Sequence, residues 1–219
     1  MNILIVDGNE KKASDSYTKC GMSTQYDLYK DVLKKLLNEE CNILTIHPAI
    51  YKNYIPVGIS LDDFQGIVWT GSLLNIYQSG PAIERQIELA KELFKKKNKI
   101  FGSCWGLQVL TTAAGGSVRK NPLGLEAVIA SDITLNEYGT SHPMYLDKPK
   151  KFDSFCWHYD EIDKLPLGAK VLSFNKKILI QSVSFLRNQS EVWAAQYHPE
   201  FDSKWNSASS VATSLLHEI

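Results

Sequence analysis

Cys104 lies in Phe101-Gly102-Ser103-Cys104-Trp105-Gly106-Leu107-Gln108, a thiol bracketed by two glycines. Lys99-Ile100-Phe101 before it is a short apolar run, and Trp105–Ala114 after it reads as a helix. The pattern predicts strand, tight turn and helix with sulfur at the apex, the device that presents the nucleophile of Gly-x-Ser-x-Gly hydrolases. Side chains at Gly102 or Gly106 would crowd such a turn. A thiol at a helix N-terminus meets free N–H groups and positive dipole character, which favour thiolate and any oxyanion formed beside it.

A cysteine nucleophile needs a base. The candidates are His47, His142, His158, His198 and His217. His198 occurs in Ala195-Gln196-Tyr197-His198-Pro199-Glu200-Phe201, at the end of a predicted strand. Residues i and i+2 of an extended segment project to one side, so His198 and Glu200 can share a face, with Pro199 stiffening the turn between them. Glu200 would then accept a bond from one imidazole nitrogen, leaving the other to take the Cys104 proton. His47 and His142, each followed by proline, read as turn or loop residues, and His217 as exposed. Cys20, Cys41 and Cys156 show no Cys-x-x-Cys spacing and read as incidental or buried thiols, and no metal-ligand cluster is expected.

The elements that must position these groups alternate. Ile3–Val6, Asn42–Ile46, Gly66–Trp69 and Ile100–Phe101 read as strands. Tyr26, Tyr29, Val32, Leu33, Leu36 and Leu37 recur at helical spacing across residues 24–39, and Pro81 opens a helix holding Ile83, Ile87, Ala90 and Phe94. Apolar strands separated by helices predict a parallel sheet covered on both faces. In the second half, residues 117–134, 152–157, 170–175, 178–183 and 191–197 read as strands with short connections, hence antiparallel additions, and Ser203–His217 as a closing helix. The expectation is one α/β domain over residues 1–219: a mostly parallel central sheet flanked by helices, with antiparallel additions in the second half.

Composition narrows the function classes. Apolar residues make up 44% and charged residues 22%, and 24 basic residues balance 24 acidic ones. No global field points to nucleic acid or an anionic membrane. No segment is long enough for a membrane span and the N-terminal apolar stretch is too short for a signal h-region, so the cytoplasm is the expected location. Neither Gly-x-x-x-x-Gly-Lys-Ser/Thr nor Gly-x-Gly-x-x-Gly follows a strand, and no cofactor is expected. Lys95-Lys96-Lys97 reads as a solvated helix end.

Gly102-Ser103-Cys104-Trp105-Gly106-Leu107-Gln108 together with Gln196-Tyr197-His198-Pro199-Glu200-Phe201 resembles the class I, triad-type glutamine amidotransferases, most of all stand-alone members similar to the glutaminase domain of GMP synthase. The likeness extends to Gly21–Leu33, to Trp69-Thr70-Gly71-Ser72, and to Trp157-His158-Tyr159-Asp160 ahead of Leu165-Pro166-Leu167-Gly168-Ala169. The resemblance implies that Cys104 attacks a γ-glutamyl amide, that His198 protonates the departing amine, and that water hydrolyses the γ-glutamyl thioester. It assigns the oxyanion hole to the backbone N–H groups of Gly71 and Trp105. It also implies contacts from Gln108, His158 and Asp160 to the amino-acid end of the substrate, with the Asp160 carboxylate suited to the α-ammonium. Ser72 reads as loop architecture, and Trp69, Trp105, Trp157 and Trp193 as core or pocket-wall aromatics. Two positions depart from the family pattern: Leu73 stands where proline is common, and Tyr159 where glycine is common. Both bear on pocket shape and substrate selectivity.

Three functions follow from this pattern. The first is glutamine hydrolysis to glutamate and ammonia, with a separate synthetase subunit as the partner that accepts the ammonia. The second is a stand-alone γ-glutamyl peptide or amine hydrolase, active unaided; the sequence ends at Ile219, soon after Glu200, so no attached acceptor-activating domain is expected. The third is a non-catalytic binding or regulatory module on the same fold, which would need none of Cys104, His198 and Glu200.

Overall fold

A computed structural model describes residues 1–37 and 41–201. The chain begins with β1 (Asn2–Val6), then α1 (Lys11–Lys19), α2 (Gln25–Leu36), β2 (Asn42–Ile46), β3 (Gly66–Trp69), α3 (Pro81–Phe94), β4 (Lys99–Ser103) and α4 (Trp105–Ala113). It continues through β5 (Ser117–Lys120), β6 (Glu126–Leu135), α5 (Glu137–Thr140), β7 (Lys151–His158), β8 (Asp160–Lys164), β9 (Lys170–Phe174), β10 (Ser182–Arg187) and β11 (Ser190–Ala195). The main sheet has nine strands among the described residues, in the order β2-β1-β3-β4-β11-β10-β9-β6-β7, and β5 pairs with β8 in a small second sheet.

Period-two alternation explains why the central strands are apolar throughout. Ile3 and Ile5 of β1 pack with Tyr29 and Leu33 of α2 on one face. Leu4 and Val6 point the other way, into the main core with Leu89 and Leu93 of α3 and Leu107 and Leu110 of α4. A strand buried on both faces has no polar side to display. Pro81 occupies the first turn of α3, where its missing N–H costs no helical hydrogen bond. Thr24 caps α2 by accepting the Asp27 N–H at 3.3 Å.

The strands from β2 to β11 run parallel, and those from β10 to β7 are antiparallel to their neighbours. The α/β reading with a mostly parallel sheet and antiparallel additions therefore holds. Details differ. The last described strand, β11, is antiparallel to β10 but inserts parallel to β4, with Ala195 opposite Ser103. Residues 117–134 divide into β5 and β6, which belong to different sheets. The strand expected at 178–183 is β10 at Ser182–Arg187, and Asp160 opens β8. Helix α1 goes unread in the sequence because it is short and mostly polar, burying only Ala13 and Tyr17. The closing helix expected at Ser203–His217 lies outside the described residues, as does His217. No helix among the described residues is long and apolar enough to cross a membrane.

Candidate active site

The register aligns the C-terminal ends of the parallel strands. Val6 is level with Trp69, Trp69 with Gly102, and Ala195 with Ser103. The segments that leave these ends carry Gly71, Cys104 and His198, so residues far apart in sequence meet at one edge. Open α/β sheets place ligands at this edge.

Cys104 sits at the start of α4 with φ 48° and ψ −101°, a conformation L-residues rarely adopt. Such strain costs of order 1–3 kcal/mol and persists only where the surroundings enforce it. Here the Cys104 N–H donates to the Ala195 carbonyl at 2.7 Å, and its own carbonyl accepts the Gln108 N–H at 3.2 Å. The two glycines are demanded by space. A Cβ on Gly102 would lie 2.7 Å from the Gly106 backbone, and one on Gly106 would lie 2.7 Å from the Trp69 carbonyl oxygen. The sulfur is buried and lies 3.7 Å from the Trp157 carbonyl oxygen.

His198 Nδ1 is 2.7 Å from Glu200 Oε1, and both side chains are buried. The Phe201 ring stacks on the imidazole at 3.9 Å, and the His198 N–H is tied to the Phe155 carbonyl at 2.8 Å. Burial alone would lower the affinity of the imidazole for a proton. The negative charges of Glu200 and of the Cys104 sulfur, with hydrogen bonding to both, overcome this and push the His198 pKa up to about 10. The Ser103 hydroxyl also donates to Glu200 Oε1 at 3.3 Å. Glu200 Oε2 makes no hydrogen bond of good geometry, although the Tyr29 phenol is close by. Burial first, and then the Glu200 charge, keep that phenol protonated, its pKa well above the usual tyrosine range.

Gly71 packs directly on the histidine: a Cβ there would come within 2.6 Å of His198 Cε1 and 2.8 Å of Gln25 Oε1. Its carbonyl is held by Asn9 Nδ2 at 3.2 Å and Thr70 Oγ1 at 2.9 Å, from segments that leave β1 and β3. Trp105 is fixed through its ring. The Trp69 and Trp105 indole N–H groups both donate to Oε1 of buried Gln86, at 3.1 and 2.8 Å, and Gln86 Nε2 donates to the Ala82 and Gly8 carbonyls. Gln86 was not singled out from sequence, although a polar residue spaced with Ile83 and Leu89 on the apolar face of a helix is a legible signal.

A cleft of about 280 Å³ opens on the sulfur, lined by Cys104, Gln108, Leu73, Tyr159, Asp160 and the start of α1 among others. Asp160 is buried and accepts the Tyr77 hydroxyl at 3.1 Å. Burial raises its pKa, and the Tyr77 bond with the positive charges of His158 and Lys120 offsets part of that rise. His158 also borders the cleft, but both its ring nitrogens are engaged by protein: Nδ1 by the Asp160 carbonyl at 3.0 Å and Nε2 by Glu126 Oε2 at 2.9 Å. It offers no free nitrogen to a ligand. The departures Leu73 and Tyr159 are 39% and 41% exposed, so both present apolar surface at the mouth of the cleft. Sequence reasoning missed Tyr77 and Glu126, neither of which stands in a motif. Ser103 was legible as the neighbour of the nucleophile.

One group among the described residues brings three metal-binding residue types together: Glu126, Cys156 and His158, with ligand atoms within 4.8 Å of one another. The carboxylate and imidazole bond to each other, and Asn175 and Gln181 donate to the same carboxylate at 2.8 Å. Burial pushes the Cys156 thiol pKa well up, against a metal-binding thiolate. A hydrogen-bonded histidine–carboxylate pair describes this group better than a cation site does.

The parallel strand ends of this α/β sheet thus present a strained cysteine beside a buried histidine–carboxylate pair. Residues 25–217 match the family described as glutamine amidotransferase class-I, and the chain belongs to that family. It is 36% identical over 214 residues to a gamma-glutamyl-L-1-hydroxyisopropylamide hydrolase of a Pseudomonas species, covering 95% of this chain and 70% of that one. It is 26% identical over 191 residues to a glutamine-hydrolysing GMP synthase of Borreliella burgdorferi, covering 82% of this chain but spanning only 34% of that longer protein. In fold it resembles a glutamine amidotransferase from Thermotoga maritima, with a TM-score of 0.74 at 17% identity, over 100% of this chain and 84% of that one.

Proposed function

We propose that this protein hydrolyses γ-glutamyl amides through a thioester on Cys104, releasing glutamate and an organic amine. The observation that carries the reading is the imidazole of His198, held by Glu200 on one side and facing the Cys104 sulfur on the other. An imidazole whose pKa is pushed up to about 10 keeps a proton ready to hand to a leaving group beside that sulfur.

The thiolate attacks the substrate's side-chain amide carbon, and the carbonyl oxygen becomes an oxyanion in reach of the Gly71 and Trp105 backbone N–H groups. Preorganised donors of this kind are worth about 3–4 kcal/mol each. As the tetrahedral species collapses, the C–N bond breaks and His198 gives its proton to the leaving nitrogen. Neutral His198 then takes a proton from water, whose oxygen attacks the thioester, and glutamate leaves as the C–S bond breaks. Gln108 and Asp160, at the floor and wall of the cleft, take the amino-acid end of the substrate, with Asp160 on the α-ammonium.

Two observations favour an organic amine over ammonia as the leaving group: the hydrolase named above aligns with nearly the whole of this chain, and Leu73 and Tyr159 give the cleft mouth apolar walls. A second reading, glutamine hydrolysis for a partner synthetase, draws on the GMP synthase relatives. One screen separates them. Purified protein is supplied with glutamine and a panel of γ-glutamyl alkylamides and dipeptides, and glutamate, ammonia and free amine are all quantified. Unaided release of alkylamine faster than ammonia supports the first reading. Slow ammonia release that only a synthetase accelerates supports the second, and no release of either sinks both.

A further inference from the structure

We propose that Glu126 is a positioning residue for the substrate: its buried carboxylate holds His158 as a fixed imidazolium, and that cation anchors the Asp160 segment that receives the α-ammonium. The inference rests on the role given to Asp160 above and adds a group outside the triad, the oxyanion donors and the cleft lining.

His158 Nδ1 faces the Asp160 backbone carbonyl at 3.0 Å, and a carbonyl can only accept. His158 Nε2 faces Glu126 Oε2 at 2.9 Å. That carboxylate also accepts from Asn175 Nδ2 at Oε1 and from Gln181 Nε2 at Oε2, both at 2.8 Å. Three donors converge on a group that has no proton to give. Burial raises its pKa, but the bonds from His158, Asn175 and Gln181 and the His158 charge together hold it below the usual carboxylate range. With acceptors on both sides, both ring nitrogens of His158 must carry hydrogen.

The cation is therefore built in by its surroundings, at a depth where a lone charge would be costly. Its Nδ1–H pins the carbonyl of Asp160, the residue whose carboxylate opens on the cleft, and its field favours the ionised form of that carboxylate. Antiparallel pairing of β6 with β7 places Glu126 directly opposite His158, so the anion is delivered by the sheet and not by a mobile loop. Other ionisable groups face the pair. Cys156 and Lys177 lie near Glu126, and Tyr77 and Lys120 act with His158 on Asp160.

Glu126→Gln keeps the shape and removes the charge. We expect KM for a γ-glutamyl alkylamide to rise roughly tenfold or more, as for loss of a charge-assisted contact, with kcat within about threefold. The acid limb of kcat/KM should move to higher pH, since Asp160 loses a stabilising cation. Glutaric acid monoamide, which lacks the α-ammonium, should be turned over equally by the variant and the parent. An unchanged KM, or an equal loss on the monoamide, would overturn the proposal. A measurement on the unaltered protein guards against a variant that does not fold: nitrogen NMR of the histidine rings near pH 7 should show two proton-bearing nitrogens on His158, and a single one would also overturn it. Should the protein hydrolyse no γ-glutamyl amide, the function fails, while the NMR result still decides the state of His158.

Discussion

Among the described residues, two histidines are buried against glutamates, and only one of these pairs is arranged to move a proton. His198 bonds Glu200 at 2.7 Å, and His158 bonds Glu126 at 2.9 Å. The contrast lies at the other ring nitrogen. His198 turns it toward a thiol, which can give up and take back hydrogen; His158 turns it to a backbone carbonyl, which cannot. The carboxylates differ in the same sense. Glu126 is saturated with donors, whereas one oxygen of Glu200 has no bond of good geometry. A histidine–carboxylate pair thus becomes an acid–base device or a fixed charge according to what its far side meets.

Exchange of side chains can break this contrast, and the largest effect should come from His198→Ala. Removing a group that acts as both acid and base is expected to lower kcat by roughly 10³-fold or more, read in steady-state kinetics. Glu200→Gln should cost less, about 10- to 100-fold, because the ring keeps its nitrogen and loses only orientation and charge. A reversed order would mean that the roles are misassigned. Gly71→Ala ranks next. Its methyl group would push on His198 and Gln25, and displacements of this kind lower kcat by up to roughly 10²-fold while the fold remains.

The smallest effect sharpens the comparison through pH. His198 is raised from 6.5 to about 10, so it binds its proton more tightly folded than unfolded. The sign follows: the stability it contributes is complete below about pH 6.5 and is lost as pH climbs through about 10. The basic limb of kcat/KM should fall in that upper range and shift to lower pH in Glu200→Gln. Thermal unfolding followed across the same range checks the stability half of the prediction.

The two pairs were unequally legible in the sequence. Cys104 between glycines and His198-Pro199-Glu200 are local patterns, and a local pattern survives without knowledge of the fold. The crowding foreseen at Gly102 and Gly106 is present because a tight turn has one geometry wherever it occurs. Glu126 carries no such mark. Its partner is His158, and their meeting depends on an antiparallel register interrupted between Ala130 and Ile133, which no short window of sequence reveals. Helix α1 is hard to read for another reason: its buried face amounts to two residues, Ala13 and Tyr17, in an otherwise polar segment. The parallel insertion of β11 was hidden as well, since a short connection from β10 reads as a plain hairpin, yet it is what carries His198 to Cys104.

Acyl transfer through the sulfur of Cys104 is open to one direct measurement. Protein mixed with a γ-glutamyl alkylamide is quenched in acid within the first turnovers, and its peptides are weighed by mass spectrometry. A γ-glutamyl adduct on the peptide holding Cys104, absent from Cys104→Ser, is the predicted result. Undiminished amine release by Cys104→Ser, or an adduct on Cys156 in its place, would contradict it.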